Sequence, residues 1–256
     1  MSGAQLEVWQ IAKRFQGVVA VDRVSFTARA GEVTALIGPN GSGKTTTMNM
    51  ITGLYPADAG AIRLDGMDIS SLRPHRIAAL GVARTFQNIR LLGDQTTLQN
   101  VMLGAHRHQG VNLVEVLLSS PRAAQVEARE RTRCEELLDL IGISSLRDVV
   151  VGGLSYGDRR RVEIARALAT KPRLLLLDEP AAGMNASEKL GLAELVLKIR
   201  DMGITVLVIE HDIEFVARVS SHLVVLNFGR EIAEGQPDEV RAMPGVIEAY
   251  LGTEDA

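Results

Sequence analysis

The chain has 256 residues, a formal charge of −3, one cysteine, and 46% hydrophobic and 23% charged residues. That suits one α/β domain, or one domain with an inserted lobe, and is long enough for a sizeable core. The charge balance excludes a mainly electrostatic nucleic-acid binder, the lone Cys134 excludes an intrachain disulfide framework, and no apolar run approaches the ~18 residues that span a bilayer. No apolar stretch of a secretory signal follows Met1, so a protein of a soluble, reducing compartment is expected.

In chain order, Leu6 to Ile11 and Val24 to Ala28 alternate apolar and polar residues, which predicts half-buried antiparallel strands. Arg14-Phe15-Gln16-Gly17 between them reads as a loop. Val33 to Ile37 is a short apolar strand, then come a Gly-rich turn and a helix to about Ile51 that stops at Gly53. Ile62 to Ile69 is a hairpin about Asp65-Gly66, and Gly81 to Phe86 a strand ending at Gln87. From Leu98 to Ala169 the texture is helical: Leu98 to Ala105, Leu113 to Leu118, and Pro121 to Ile141 with Gly142 as its cap. Cys134 shares the apolar side of that last helix with Leu137, Leu138 and Ile141, and reads as a buried structural thiol. A further helix runs to Ala169.

Arg173 to Leu177 and Thr205 to Ile209 are continuous apolar strands of the kind buried on both faces of a parallel sheet. A helix from Ser187 to Gly203 separates them. His211 and a short helix opened by Asp212 follow, then a hairpin of Leu223 to Phe228 with Arg230 to Ala233. One terminal helix starts at Pro237 and Asp238, with a frayed end after Leu251.

Gly38, Gly43, Lys44 and Thr45 make the pattern G-x-x-x-x-G-K-[ST] between a strand and a helix. Backbone N–H groups of such a turn form an anion nest at the positive end of the helix. Lys44 would reach the β- and γ-phosphates, and the Thr45 hydroxyl a Mg²⁺ ion. A nucleoside triphosphate is the expected ligand. The leucine strand ending in Asp178-Glu179 supplies a carboxylate for Mg²⁺ and another to polarise water.

Ser155 and Asp158 have the spacing of a capping box, so Leu154 to Asp158 reads either as an ordinary helix start or as a second phosphate-binding helix pole using Ser155 and the Gly157 N–H. A pole in a separate lobe cannot easily reach its own chain's P-loop, which suggests two subunits closing on one ATP. His211 follows a buried strand directly, where ligands bind in open α/β sheets. His75, His106, His108 and His222 have no such context, and Arg159-Arg160-Arg161 reads as a solvated helix face.

This ordered set of motifs resembles the nucleotide-binding domain of the ATP-binding cassette (ABC) superfamily over nearly the whole chain. The resemblance implies an α/β P-loop NTPase (RecA-like) core with an N-terminal antiparallel β subdomain, at 1–87 and 170–256, and an inserted α-helical subdomain at 88–169. It implies ATP and Mg²⁺ as ligands. Phe15 matches the aromatic that stacks on adenine. Gly38, Pro39, Asn40, Gly41, Ser42, Gly43, Lys44, Thr45 and Thr46 match Walker A, and Gln87 the glutamine that contacts Mg²⁺ and the attacking water. Ser155 and Gly157 match the signature, Asp178 Walker B, Glu179 the catalytic carboxylate and His211 the switch histidine.

Tyr156 and Asp158 replace the signature's usual glycine and glutamine, and Asn185 stands where many relatives have aspartate. The stretches Ala83 to Leu91, Leu154 to Gly157, Glu179 to Asn185 and Ile209 to Asp212 resemble the Liv-type ATP-binding proteins of branched-chain amino acid uptake. That similarity implies a peripheral subunit on the cytoplasmic face of the membrane. It would pair with a second cassette, act on integral permease subunits and work indirectly with a solute-binding protein. Uptake of urea, amides or other solutes, and a catalytically weak structural cassette, are the alternatives. A DNA- or ribosome-acting relative would need a long coiled coil or two cassettes, and the chain has neither.

Overall fold

The computed structural model describes residues 3–105 and 120–251. Its contacts divide the chain into two units, Met1–Gln87 with Arg173–Ala256, and Asn88–Pro172.

The first unit holds two sheets. Strands β1 (Leu6–Phe15), β2 (Val18–Ala28), β4 (Ala59–Leu64) and β5 (Met67–Asp68) form an antiparallel sheet in the order β2-β1-β4-β5. Both long strands outrun the expected alternation. β1 continues through Arg14 and Phe15, and only Gln16 and Gly17 turn the chain. Irregularities between Val8 and Arg14, including a left-handed Gln10 (φ 46°), shift the register while pairing continues, which hides the strand from a strict period of two. The Asp65-Gly66 turn has both residues at positive φ (49° and 78°), as a primed hairpin turn requires.

The second sheet runs β10-β9-β3-β8-β7-β6, comprising β3 (Val33–Ile37), β6 (Val82–Arg84), β7 (Leu174–Asp178), β8 (Thr205–Ile209), β9 (His222–Asn227) and β10 (Arg230–Gly235). Only the edge strand β10 is antiparallel. Every residue of β3, β7 and β8 is buried, which is why these strands read as unbroken apolar runs. Each fully buried leucine of β7 contributes roughly 1.5–3 kcal/mol of transfer free energy.

Helices α1 (Lys44–Ile51), α2 (Pro74–Ala79), α6 (Ala186–Asp201) and α7 (Ile213–Val219) belong to this unit. Asn185 caps α6 in a reciprocal capping box with Glu188, and Asp212 caps α7 by accepting from the Phe215 N–H. The single terminal helix expected from Pro237 is instead two, α8 (Pro237–Arg241) and α9 (Pro244–Leu251), because a proline at 244 starts a helix more readily than it continues one. The fraying expected after Leu251 lies outside the described residues.

In the second unit, α3 (Thr97–Ala105) packs on α5 (Tyr156–Ala169) and on α4 (Pro121–Ile141), which ends at a left-handed Gly142. The expected helix Leu113 to Leu118, with His106 and His108, lies outside the described residues. Among those described, the unit has no strand, only an isolated bridge between Thr96 and Val150. Cys134 is fully buried, and burial pushes its thiol up to about 11.

Arg160 corrects the expectation of a solvated arginine face. It is fully buried, with Nη1 donating to Glu163 (2.7 Å) and Nη2 to the Tyr156 hydroxyl (3.0 Å). It lies on the same stripe of α5 as Gly157, Ile164 and Ala167, three and four residues apart, and that stripe faces inward.

Candidate functional site

The site gathers at the carboxyl end of the parallel strands, where the sheet order departs from the chain order. β3 leads into the Gly38–Thr46 loop, β7 ends at Asp178 and Glu179, β6 is followed by Gln87, and β8 by Glu210 and His211.

Gly38 (φ 149°) and Gly43 (φ 101°) give the loop its shape. A Cβ on Gly38 would overlap the Leu226 carbonyl oxygen, and one on Gly43 would lie 2.5 Å from that of Ala20, so both positions need glycine. The first turn of α1 holds no acidic residue, and its N-cap, Gly43, offers no side chain. The backbone N–H groups at this helix start therefore have no side-chain acceptor of their own. The buried Ser42 Oγ has no hydrogen-bond partner. Thr45 is exposed at the helix start and Thr46 is half-buried. Pro39 is half-buried, and Asn40 and Gly41 are exposed.

Lys44 is 5% exposed and folds back over the loop, with Nζ donating to the carbonyls of Gly38 (2.7 Å) and Pro39 (2.9 Å). Burial pushes its ammonium below its usual value, while the carboxylates of Glu179, Asp178 and Glu210 pull it back up. This is a cation held with backbone oxygens at the mouth of a bare helix pole. Triphosphate oxygens fit such a cradle.

Asp178 is 3% exposed and is held by Arg84, whose Nη2 donates to Oδ2 at 2.7 Å. Glu179 adopts a left-handed backbone (φ 45°), and its N–H donates to Ile209 O (2.9 Å), tying the ends of β7 and β8 together. Gln87 Nε2 donates to Glu179 Oε2 at 2.8 Å, so two expected site residues that are 92 apart in sequence meet directly.

Glu210 is fully buried. Its carboxylate accepts from the N–H of Ala181 (2.7 Å) and of His211 (3.1 Å), and burial outweighs these bonds to push its carboxyl above the ordinary range. It fastens the loop after Glu179 to the backbone of His211, whose side chain is 57% exposed. Among the described residues, no group of three or more His, Cys, Asp or Glu side chains could hold a metal. The residues expected to hold Mg²⁺ offer instead a hydroxyl (Thr45), a side-chain amide (Gln87) and one carboxylate (Asp178), oxygen donors of the kind Mg²⁺ takes alongside water.

Phe15, at the end of β1, is 38% exposed and meets Tyr55 edge-on at 5.3 Å, with Lys13 Nζ 5.6 Å from its ring centre. Ser155 and Gly157 belong to the second unit and open α5. Ser155 Oγ accepts from the Asp158 N–H (3.1 Å) and donates to the Asp158 carboxylate (2.8 Å). Gly157 is buried.

Sequence reasoning assigned nothing to Arg84, Glu210 or Tyr55. Glu210 did leave a signal, since a carboxylate closing a fully apolar strand must find donors inside the fold. Arg84 left none.

A family model described as ABC transporter matches residues 21–182, and one described as branched-chain amino acid ATP-binding cassette transporter matches residues 230–256. The chain is 42% identical to the high-affinity branched-chain amino acid transport ATP-binding protein BraF of Pseudomonas aeruginosa and 39% identical to LivG of Escherichia coli. Each alignment covers 98% of this chain and 99% of the relative.

Among solved structures, an ATP-binding cassette of an ABC transporter in its ADP conformation superposes with a TM-score of 0.85 at 34% identity, covering 97% of this chain and 99% of that one. A nucleotide-free cassette gives 0.84 at 34% identity, covering 96% and 98%. No helix among the described residues is long and apolar enough to cross a membrane. The chain belongs to the ATP-binding cassette ATPases of ABC transporters, in their branched-chain amino acid (Liv-type) branch.

Proposed function

We propose that this chain is the ATP-hydrolysing subunit of an importer for branched-chain amino acids, held at the cytoplasmic face of the membrane by permease subunits and paired with a second cassette. The observation that carries this is the convergence of Lys44, Asp178, Glu179, Gln87 and His211 at the carboxyl end of one sheet's parallel strands, together with relatives whose names state that transport. Residues 1–87 with 170–256 act as the nucleotide-binding core, and 88–169 as the lobe that presents Ser155 and Gly157 to the partner's nucleotide.

The Gly38–Thr46 backbone and Lys44 bind the β- and γ-phosphates of ATP, and Phe15 packs on the adenine. Thr45, Asp178 and Gln87 would hold Mg²⁺, which neutralises charge developing on the phosphate oxygens. Glu179 orients a water and takes its proton as the oxygen attacks the γ-phosphorus and the bond to ADP breaks. His211 donates to the γ-phosphate oxygens, and Glu210 holds its backbone in place.

Gln87 now donates to the carboxylate that must receive the proton. Turning Gln87 toward the nucleotide frees Glu179 Oε2, so binding and activation are linked through one side chain.

Glu179→Gln tests this reading. The variant should bind ATP and accumulate as closed dimers on size exclusion, with turnover lower by ~10²-fold or more. Near-normal turnover would remove Glu179 from the role given to it. Solute choice is tested by uptake with the permeases. Import of labelled leucine, isoleucine and valine, but not urea, is the expected result.

A further inference from the structure

Arg84, the last residue of β6, is only 8% exposed and reaches three other parts of the core. Its Nη2 donates to Asp178 Oδ2 at 2.7 Å, while Nη1 donates to Asn49 Oδ1 at 2.7 Å and Thr52 Oγ1 at 3.3 Å, on and just past α1. The Phe86 ring centre lies 5.3 Å from the guanidinium carbon. Only Nε lacks a partner.

A carboxylate as buried as Asp178 has lost most of its hydration, and a cation hydrogen-bonded to it offsets that loss. Lys44, the other cation close by, spends its hydrogen bonds on Gly38 and Pro39. The planar fork of arginine can hold a carboxylate with one nitrogen and a neighbouring helix with another. The point charge of lysine cannot do both in the same geometry.

We propose that Arg84 is a positioning residue that presets the Asp178 carboxylate for a divalent cation and locks it to the P-loop helix. Oδ2 is taken by Arg84, which would leave Oδ1 as the oxygen to face a cation's ligand shell. Because Arg84 also grips α1, the strand that carries the metal carboxylate and the helix that carries the phosphate cradle move as one body. Gln87 follows three residues later, so the same strand end sets the start of the loop that reaches Glu179. The inference rests on the assignment of Asp178 to Mg²⁺ made above.

The test titrates the full chain with a fluorescent trinitrophenyl-ATP, in EDTA and across Mg²⁺ concentrations, and reads binding rather than turnover. Arg84→Gln should raise the Mg²⁺ concentration for half-maximal tightening by about 10-fold, the usual scale for a group that orients a metal ligand, and leave affinity in EDTA unchanged. Arg84→Lys should recover part of the shift. Asn49→Ala, which cuts the shorter of the two ties to the α1 region and leaves the bond to Asp178, should give a smaller shift in the same direction.

Equal weakening of Arg84→Gln with and without Mg²⁺, or a change in melting temperature alone, would overturn the proposal. Should Arg84→Gln fail to fold, unchanged Mg²⁺ midpoints in both Arg84→Lys and Asn49→Ala would overturn it too. Asp178→Asn is the control. An unchanged midpoint there would strike at the metal assignment of Asp178, whereas a shift there with none in the Arg84 variants would strike at Arg84 alone.

Discussion

Two helix starts, those of α1 and α5, are prepared in opposite ways. The N-terminus of α1 is bare, with a glycine at the cap, no acid in the first turn and a lysine folded across the loop. The N-terminus of α5 is already satisfied, since Ser155 caps it and gives its hydroxyl proton to the Asp158 carboxylate. A bare pole binds an anion without first giving anything up. A capped pole has to exchange its own side-chain bonds for the new ones, so engagement there is conditional. Under the function proposed above, the start of α1 would hold the nucleotide and the start of α5 would respond to the partner cassette.

The largest expected break in this contrast comes from Lys44→Met. Nucleotide affinity should fall by ~10²-fold or more, measured by the same fluorescent analogue, because a buried cation facing phosphates is lost. Stability should move differently. The folded-state value of Lys44 lies below its unfolded value, so the unfolded chain binds more protons at this position, and wild-type stability rises with pH toward about 10.5. Melting scans from pH 8 upward should show the wild type gaining on the variant. A flat difference would show that Lys44 is not held in a desolvated place.

The capped pole is sharpened by a pair of smaller changes. Asp158→Gln replaces the carboxylate that holds the Ser155 proton by a neutral, weaker acceptor and removes a charge that would face an incoming γ-phosphate. ATP-driven association, read by analytical ultracentrifugation in the Glu179→Gln background, should strengthen several-fold. Ser155→Ala should do the reverse and also destabilise the helix by about 1 kcal/mol through the lost cap. No change in association for either variant would mean that the two poles do not differ in function as they do in structure.

How much of this was legible beforehand follows from how local each feature is. The P-loop, the leucine strand β7 and the Asp65-Gly66 hairpin are written in adjacent residues, and the ABC resemblance rests on the order of the P-loop, Gln87, Leu154 to Asp158, the β7 strand with Glu179, and His211. Arg84 was illegible because its partner Asp178 lies 94 residues away and no periodicity links them. Arg160 was legible in principle. The period of α5 puts it on the stripe of Gly157 and Ile164, but a run of three arginines draws attention to charge rather than phase. Phe15 was placed in a loop because the bulged register of β1 breaks the alternation that marks a strand.

The left-handed backbone of Glu179 carries a further consequence, which concerns how such a chain can decay. A residue other than glycine costs roughly 1–2 kcal/mol in that conformation. Glycine at 179 should relax the backbone, so Glu179→Gly should melt above Glu179→Gln in calorimetry, although both lose hydrolysis. Equal melting temperatures would show that no strain is stored there. If Glu179 has the role proposed for it, a lineage that stops needing hydrolysis has a downhill path away from this residue, which selection for activity must keep opposing.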